Sequence, residues 1–158
     1  DVVLDSTYKE YIFLINNIHP ATNNAHFLFQ GSVDTGSNYG VNITSSAFST
    51  EHNEAGSSTD VSYQTSVDLA QSTSFQRITS SNSHNNDDNA AAILHLFEPS
   101  STTFVKHFII TGNTVADAYT VGTHIAGYFN STSAIDAIQF KMSSGNIDAG
   151  TISLYGVL

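Results

Sequence analysis

The sequence predicts an all-β protein folded as one domain over residues 1–158, either a sandwich or a barrel. Three observations carry this. Ser, Thr and Asn make up about a third of the chain, while charged residues are only 11% against about a quarter in typical soluble domains. Their short polar side chains compete for backbone hydrogen bonds, so they disfavour helices; Thr suits strands, and Asn and Ser suit turns. Short apolar runs recur at fairly regular spacing with Gly, Asn and Ser between them, which is the pattern of sandwiches and barrels. No twelve-residue window holds a 3.6-residue period with caps; the best short exception is 65–70. At 158 residues the chain is long enough for one domain with its own core and short for two.

The expected strands follow in order. Tyr11–Ile15 and His26–Gln30 form the first strong pair, separated by a polar stretch at 16–24. Val41–Thr44 alternates and can continue to Phe48, and Val61–Val67 alternates again. The segment 71–89 is weak, with a short strand at Phe75–Ile78 before a polar loop. Ala91–Phe97 and Phe104–Ile110 make the clearest hairpin, turning at Pro99–Thr102. His124–Phe129, Ile135–Met142 and Thr151–Tyr155 complete the set. In the last two, Ile138, Phe140 and Met142 share one face, and Ile152 and Leu154 are expected to pair with that face. The expectation is a closing hairpin with Gly145 and Gly150 in its connection.

Net charge is −10, with Lys9, Arg77, Lys106 and Lys141 as the four cations. A phosphate backbone or an anionic lipid surface calls for clustered Lys and Arg, so nucleic acid and membrane are poor partners. No apolar run approaches the ~20 residues of a spanning helix. Without cysteine the fold rests on core packing and strand pairing. The chain begins at Asp1, with no basic-then-apolar leader. Val2-Val3-Leu4 reads as the tail of a strand, so a preceding segment is expected.

Four groups of residues bear on chemistry. Asp34-Thr35-Gly36-Ser37 matches the signature of pepsin-like proteases, whose mechanism needs two carboxylates sharing a proton. One copy would require a homodimer, and the flanking Gln30-Gly31-Ser32 and Asn38-Tyr39-Gly40 favour a loop. A turn at 99–102 would set His95 opposite His107, within reach of one metal ion, although apolar neighbours on that face favour a structural pair. Glu51-His52-Asn53-Glu54 and His84-Asn85-Asn86-Asp87-Asp88-Asn89 are oxygen-rich but lack EF-hand spacing, so solvated loops are expected and the metal question stays open. Asn42-Ile43-Thr44 and Asn130-Ser131-Thr132 fit the glycosylation triplet. HExxH, GxSxG, Walker and dinucleotide signatures are absent, so no catalytic or cofactor-binding residue is expected.

Several segments carry a resemblance: Asp5-Ser-Thr-Tyr-Lys-Glu-Tyr-Ile-Phe13, Asn17-Ile-His-Pro-Ala-Thr22, Glu51-His-Asn-Glu-Ala-Gly56, Leu96–His107, Gly127–Asp136 and the ending Phe140–Gly156. Together they resemble small virion proteins of tailed, mainly marine, bacteriophages. The likeness spans nearly the whole chain, but its motifs are turns and strands, and no functional residue carries over. It implies a jelly-roll-like β-sandwich, antiparallel and single-domain, on the virion surface as a fibre, spike or capsid-decorating subunit.

The expected function is therefore a non-enzymatic virion structural protein on an extracellular particle. Its expected partners are further copies of itself (a trimer favoured) and other virion proteins, with host-surface glycan as a further contact. A secreted bacterial carbohydrate-binding or adhesin module is the alternative, and a homodimeric aspartic protease using Asp34 is a remote one.

Overall fold

The computed structural model describes residues 2–158, Val2 and Val3 as backbone only. Asp1, where a preceding segment was expected to join, lies outside the described residues. The strands are β1 (Val2–Val3), β2 (Glu10–Pro20), β3 (Phe27–Ser32), β4 (Ile43–Asn53), β5 (Thr59–Tyr63) and β6 (Gln76–Arg77). They continue with β7 (Ala90–Phe97), β8 (Lys106–Ala116), β9 (Tyr119–Phe129), β10 (Ala137–Met142) and β11 (Ile147–Val157).

All pairings between these strands are antiparallel, in two sheets. The larger runs β11-β2-β7-β8-β9-β4-β5 and the smaller β1-β10-β3-β6. The chain crosses repeatedly between them, a jelly-roll-like trait, while β7-β8-β9 is a simple meander.

Period-two alternation puts one set of side chains between the sheets. On β7, Ala90, Ala92, Leu94 and Leu96 are buried while Ala91 and Ile93 are exposed. On β8, Phe108 and Ile110 point inward between exposed His107, Ile109 and Thr111. Phenylalanines bridge the layers. Phe29 of β3 packs edge-on against Phe108 at 5.1 Å and Phe129 at 6.0 Å. Phe140 of β10 meets Phe13 of β2 at 5.2 Å and stacks on Phe27 at 5.7 Å. Full burial of each such side chain stabilises by roughly 1.5–3 kcal/mol. Gly31 permits this packing, since a Cβ there would lie 2.9 Å from the Phe129 ring.

Four expectations are corrected. The stretch 16–24 is not wholly a connection: β2 runs on to Pro20, with a register irregularity between Ile15 and Ile18 and Asn17 at φ 52°. The irregularity keeps Ile15 and Ile18 both on the buried face. Residues 111–123 are largely strand, because Ala116 pairs with Tyr119 across a tight turn at Asp117 (φ 54°) and Ala118. Glu51–Asn53 is likewise the end of β4, paired with β9, and not a loop. Finally, β10 and β11 form no hairpin: β10 pairs with β3 and β1, and β11 pairs with β2 in the other sheet. Their apolar faces are as expected, but they serve opposite layers.

Candidate interaction surface

The second side-chain set of the larger sheet points away from the smaller sheet, and pairing lines it up in rows. One row runs Ser153, Leu14, Ile93, Thr111, His124, Phe48 and Tyr63, from β11 to β5. Beside it run Tyr155, Ile12, His95, Ile109, Ala126 and Ser46. In the third, Val157, Glu10 and Phe97 follow from β11 to β7, and His107, Tyr128 and Thr44 from β8 to β4. Phe48, Tyr63, Ile93, Ile109, Tyr155 and Val157 each expose more than a third of their surface, so a broad apolar face lies open. Several of its rings lie against one another. Phe48 stacks on His124 at 4.8 Å and 17°, and His95 on Phe97 at 6.1 Å and 15°.

Within those rows Glu10 is the one Asp or Glu, and there is no Lys or Arg. Its carboxylate is held by a neighbour: Glu10 Oε1 lies 2.5 Å from His95 Nδ1. A chain of net charge −10 therefore presents rows with one carboxylate, itself engaged, and the Asp68 carboxylate at their β5 edge accepts from the Tyr63 hydroxyl at 2.8 Å.

The expected His95–His107 opposition is corrected. His95 faces Ile109, and Leu96 faces Phe108, so the two histidines share a face as diagonal neighbours. The cause is the connection. Glu98 adopts φ 45° and donates its N–H to the Lys9 carbonyl at 2.6 Å, which shifts the centre of the hairpin by one residue. Instead, the His107 ring lies 6.0 Å from Tyr128. Among the described residues, no three or more His, Asp or Glu side chains are grouped to hold a metal ion.

That connection, residues 98–105, borders an open groove of about 910 Å³ with Lys9, Phe97, His107 and Thr132. Phe104 projects at its lip, 73% exposed, from a firmly held backbone. Ser101 Oγ accepts from the N–H groups of Thr103 and Phe104. Fully buried Lys106 donates from Nζ to the carbonyls of Phe104 at 3.1 Å and Ser131 at 2.9 Å. Burial pushes the Lys106 amine below the ordinary lysine value. The inward position of this strand lysine is signalled by its even spacing with Phe108 and Ile110, a signal from which no expectation was drawn.

The other cations are also engaged. Lys9 pairs with Glu98 at 3.3 Å, Arg77 Nη2 lies 3.0 Å from His26 Nδ1, and Lys141 sits 3.8 Å above the Phe75 ring.

Asp34 organises a turn. Its carboxylate accepts from Ser32 Oγ (2.7 Å), Asn38 N–H (2.9 Å) and Asn38 Nδ2 (2.7 Å), while Gly36 takes φ 83°. Hydrogen bonds from the Asn38 side chain, then Ser32, hold its pKa below the usual carboxylate range. A second carboxylate does approach: Asp136 Oδ1 accepts from the Thr35 N–H at 3.0 Å. Both act here as clamps on backbone and side-chain donors. Of the two oxygen-rich segments, Asn53 Oδ1 caps the turn to β5 by accepting from Ser57 and Ser58, and buried Asp88 accepts from Asn85 Nδ2. The glycosylation triplets meet each other: the Asn130 N–H donates to the Asn42 carbonyl at 2.7 Å, and Asn130 Nδ2 donates to Gln71 Oε1.

Comparison with protein-family models, curated proteins and solved structures finds no match to this chain.

Proposed function

We propose that this chain is a non-enzymatic structural subunit of a tailed-bacteriophage virion, displayed on the particle surface as a fibre, spike or capsid decoration. The observation that carries the reading is the outward face of the larger sheet, with Ile93, Ile109, Phe48 and Tyr155 open on a strongly acidic chain. An apolar face of this breadth marks a contact surface. The Asp34 turn and the engaged cations serve local structure, in keeping with a scaffold. An antiparallel sandwich without cysteine also needs no oxidising compartment to reach its final form.

Localisation on purified particles tests the reading. Mass spectrometry of gradient-purified virions should detect this chain at many copies per particle, and immunogold labelling should mark the particle exterior. Recovery only from the cytosol of infected cells, with none in intact particles, would refute it.

A specific feature favours a second reading, a secreted carbohydrate-binding or adhesin module. Phe104 offers a ring to the apolar face of a sugar, while Lys9, Glu98 and Ser101 offer hydrogen-bond groups in the same groove. A glycan array comparing the native chain with Phe104→Ala tests this. A signal lost in the variant supports sugar contact under either reading, and a blank array with the native chain removes it.

A further inference from the structure

We infer that the outward face of the larger sheet is covered by further copies of this same chain, making it the interface of a closed homo-oligomer. The inference rests on the structural-subunit reading above and names the partner for its contact surface.

Charge selects the partner. Two chains of net charge −10 repel wherever their carboxylates oppose one another, and at short range this costs more as water is excluded. On this face Glu10 is already bound to His95, and at the β5 edge the Asp68 carboxylate accepts from the Tyr63 hydroxyl at 2.8 Å. Copies meeting here bury their aliphatic and aromatic side chains, with Glu10 entering the contact already paired to His95. A basic partner would find no cluster of acids here to bind.

Area reaches the lower end of the standard range. The first row crosses seven strands and the other two cross six each; at about 4.8 Å per strand and about 6.8 Å per row, the footprint is roughly 600 Å². A standard stable interface buries about 600–1,000 Å² per partner. The relief is also suitable. Small residues leave two shallow hollows, about 430 Å³ around Ala91 and Gly112 and about 230 Å³ around Ser46 and Ala126. Ile93 and Ile109 stand between them as ridges, 41% and 48% exposed. Ridges on one copy can enter hollows on another, the self-complementarity that an interface between identical chains requires.

Sedimentation equilibrium of the full chain at about 10–100 µM, a range set against ordinary oligomer affinities, reads the outcome. Two or three times the 16.9 kDa chain mass is expected, falling to one chain for Ile109→Asp with an unchanged circular dichroism spectrum. Because the chain has no cysteine, Ile109→Cys supplies one thiol per copy without placing a charge. A short bis-maleimide, which joins one thiol to one other, should cross-link that variant into covalent dimers and leave Thr102→Cys, in the loop, as single chains. A monomeric native chain with no cross-linking overturns the inference. If Ile109→Asp nevertheless blocks incorporation into particles, the face contacts a different virion protein, and the structural-subunit reading survives without self-association.

Discussion

Glu10 and His95 stand directly across β2 and β7 from the residues beside them, Glu10 facing Phe97 and His95 facing Ile12, and meet diagonally with 2.5 Å between Oε1 and Nδ1. The contact occupies the one acid in the outward rows. Both side chains remain partly open to water, so the pair contributes at most about 1 kcal/mol to folding. Glu10→Gln should therefore lower the urea-unfolding free energy by no more than about 1 kcal/mol. A loss several times larger would show that the pair supports the fold itself.

Phe29 sits at the meeting point of the two layers. It is fully buried and contacts Phe108, Phe129 and Phe140. Phe29→Ala should cost about 3–5 kcal/mol, a large share of the roughly 5–15 kcal/mol that holds an ordinary domain. Chemical denaturation of Phe29→Ala beside Phe104→Ala checks it. The second change removes an exposed ring and should alter stability by about 0.5 kcal/mol or less.

Lys106 makes a different test, because its ammonium is buried against two carbonyls. Lys106→Met leaves the Phe104 and Ser131 carbonyls without this donor and should cost about 2 kcal/mol. The sign of its pH dependence also follows. A lysine with a lowered folded-state pKa sheds its proton before the unfolded chain does. Its desolvation penalty is full below the folded value and is relieved as pH rises toward the ordinary lysine value. The native chain should thus gain stability relative to Lys106→Met as pH rises through the lowered folded-state value toward about 10.4, the ordinary lysine value. An unchanging difference across that span would show the amine to be well solvated.

Asp34 gives the acid-side counterpart. Its folded-state pKa is lowered by Asn38 and Ser32, so its contribution is present above the unfolded value near 3.9 and disappears as pH falls through the folded value. Thermal midpoints of the native chain and Asp34→Asn should differ above the unfolded value and converge as pH falls through the lowered folded-state value. Incubation with a peptide library supplies a second readout: with Asp34 acting as a turn clamp, the substitution should leave cleavage at background in both proteins.

Alternation made Ala91–Phe97 legible as a strand, but the expected Val61–Val67 ends its pairing at Tyr63 and the expected Phe104–Ile110 begins only at Lys106. Partnership was legible for β7 and β8, which pair as the expected hairpin, but not for the last two strands. Alternation in 135–142 and 151–155 identifies an apolar side for each, but an apolar side can be buried by either sheet, and the two segments went to different ones. Register in the β7–β8 pair failed for a related reason. A symmetric turn was assumed, whereas Glu98 takes a left-handed conformation that a non-glycine residue rarely adopts. The outward face was hidden most deeply. Its rows are assembled from residues as far apart as Leu14, Ile93 and Phe48, brought together by pairing.

The placement of β11 bears on how the molecule comes into being. Val157 pairs with Glu10 and Ile147 with Pro20, so β11 zips onto a strand far earlier in the sequence. A growing chain must hold Phe13 and Ile15 without their outer strand until β11 has been made, and closing so long a loop is slow. Nascent chains are thus most exposed to misassociation before β11 emerges, and a truncation ahead of β11 would strip β2 of its outer partner.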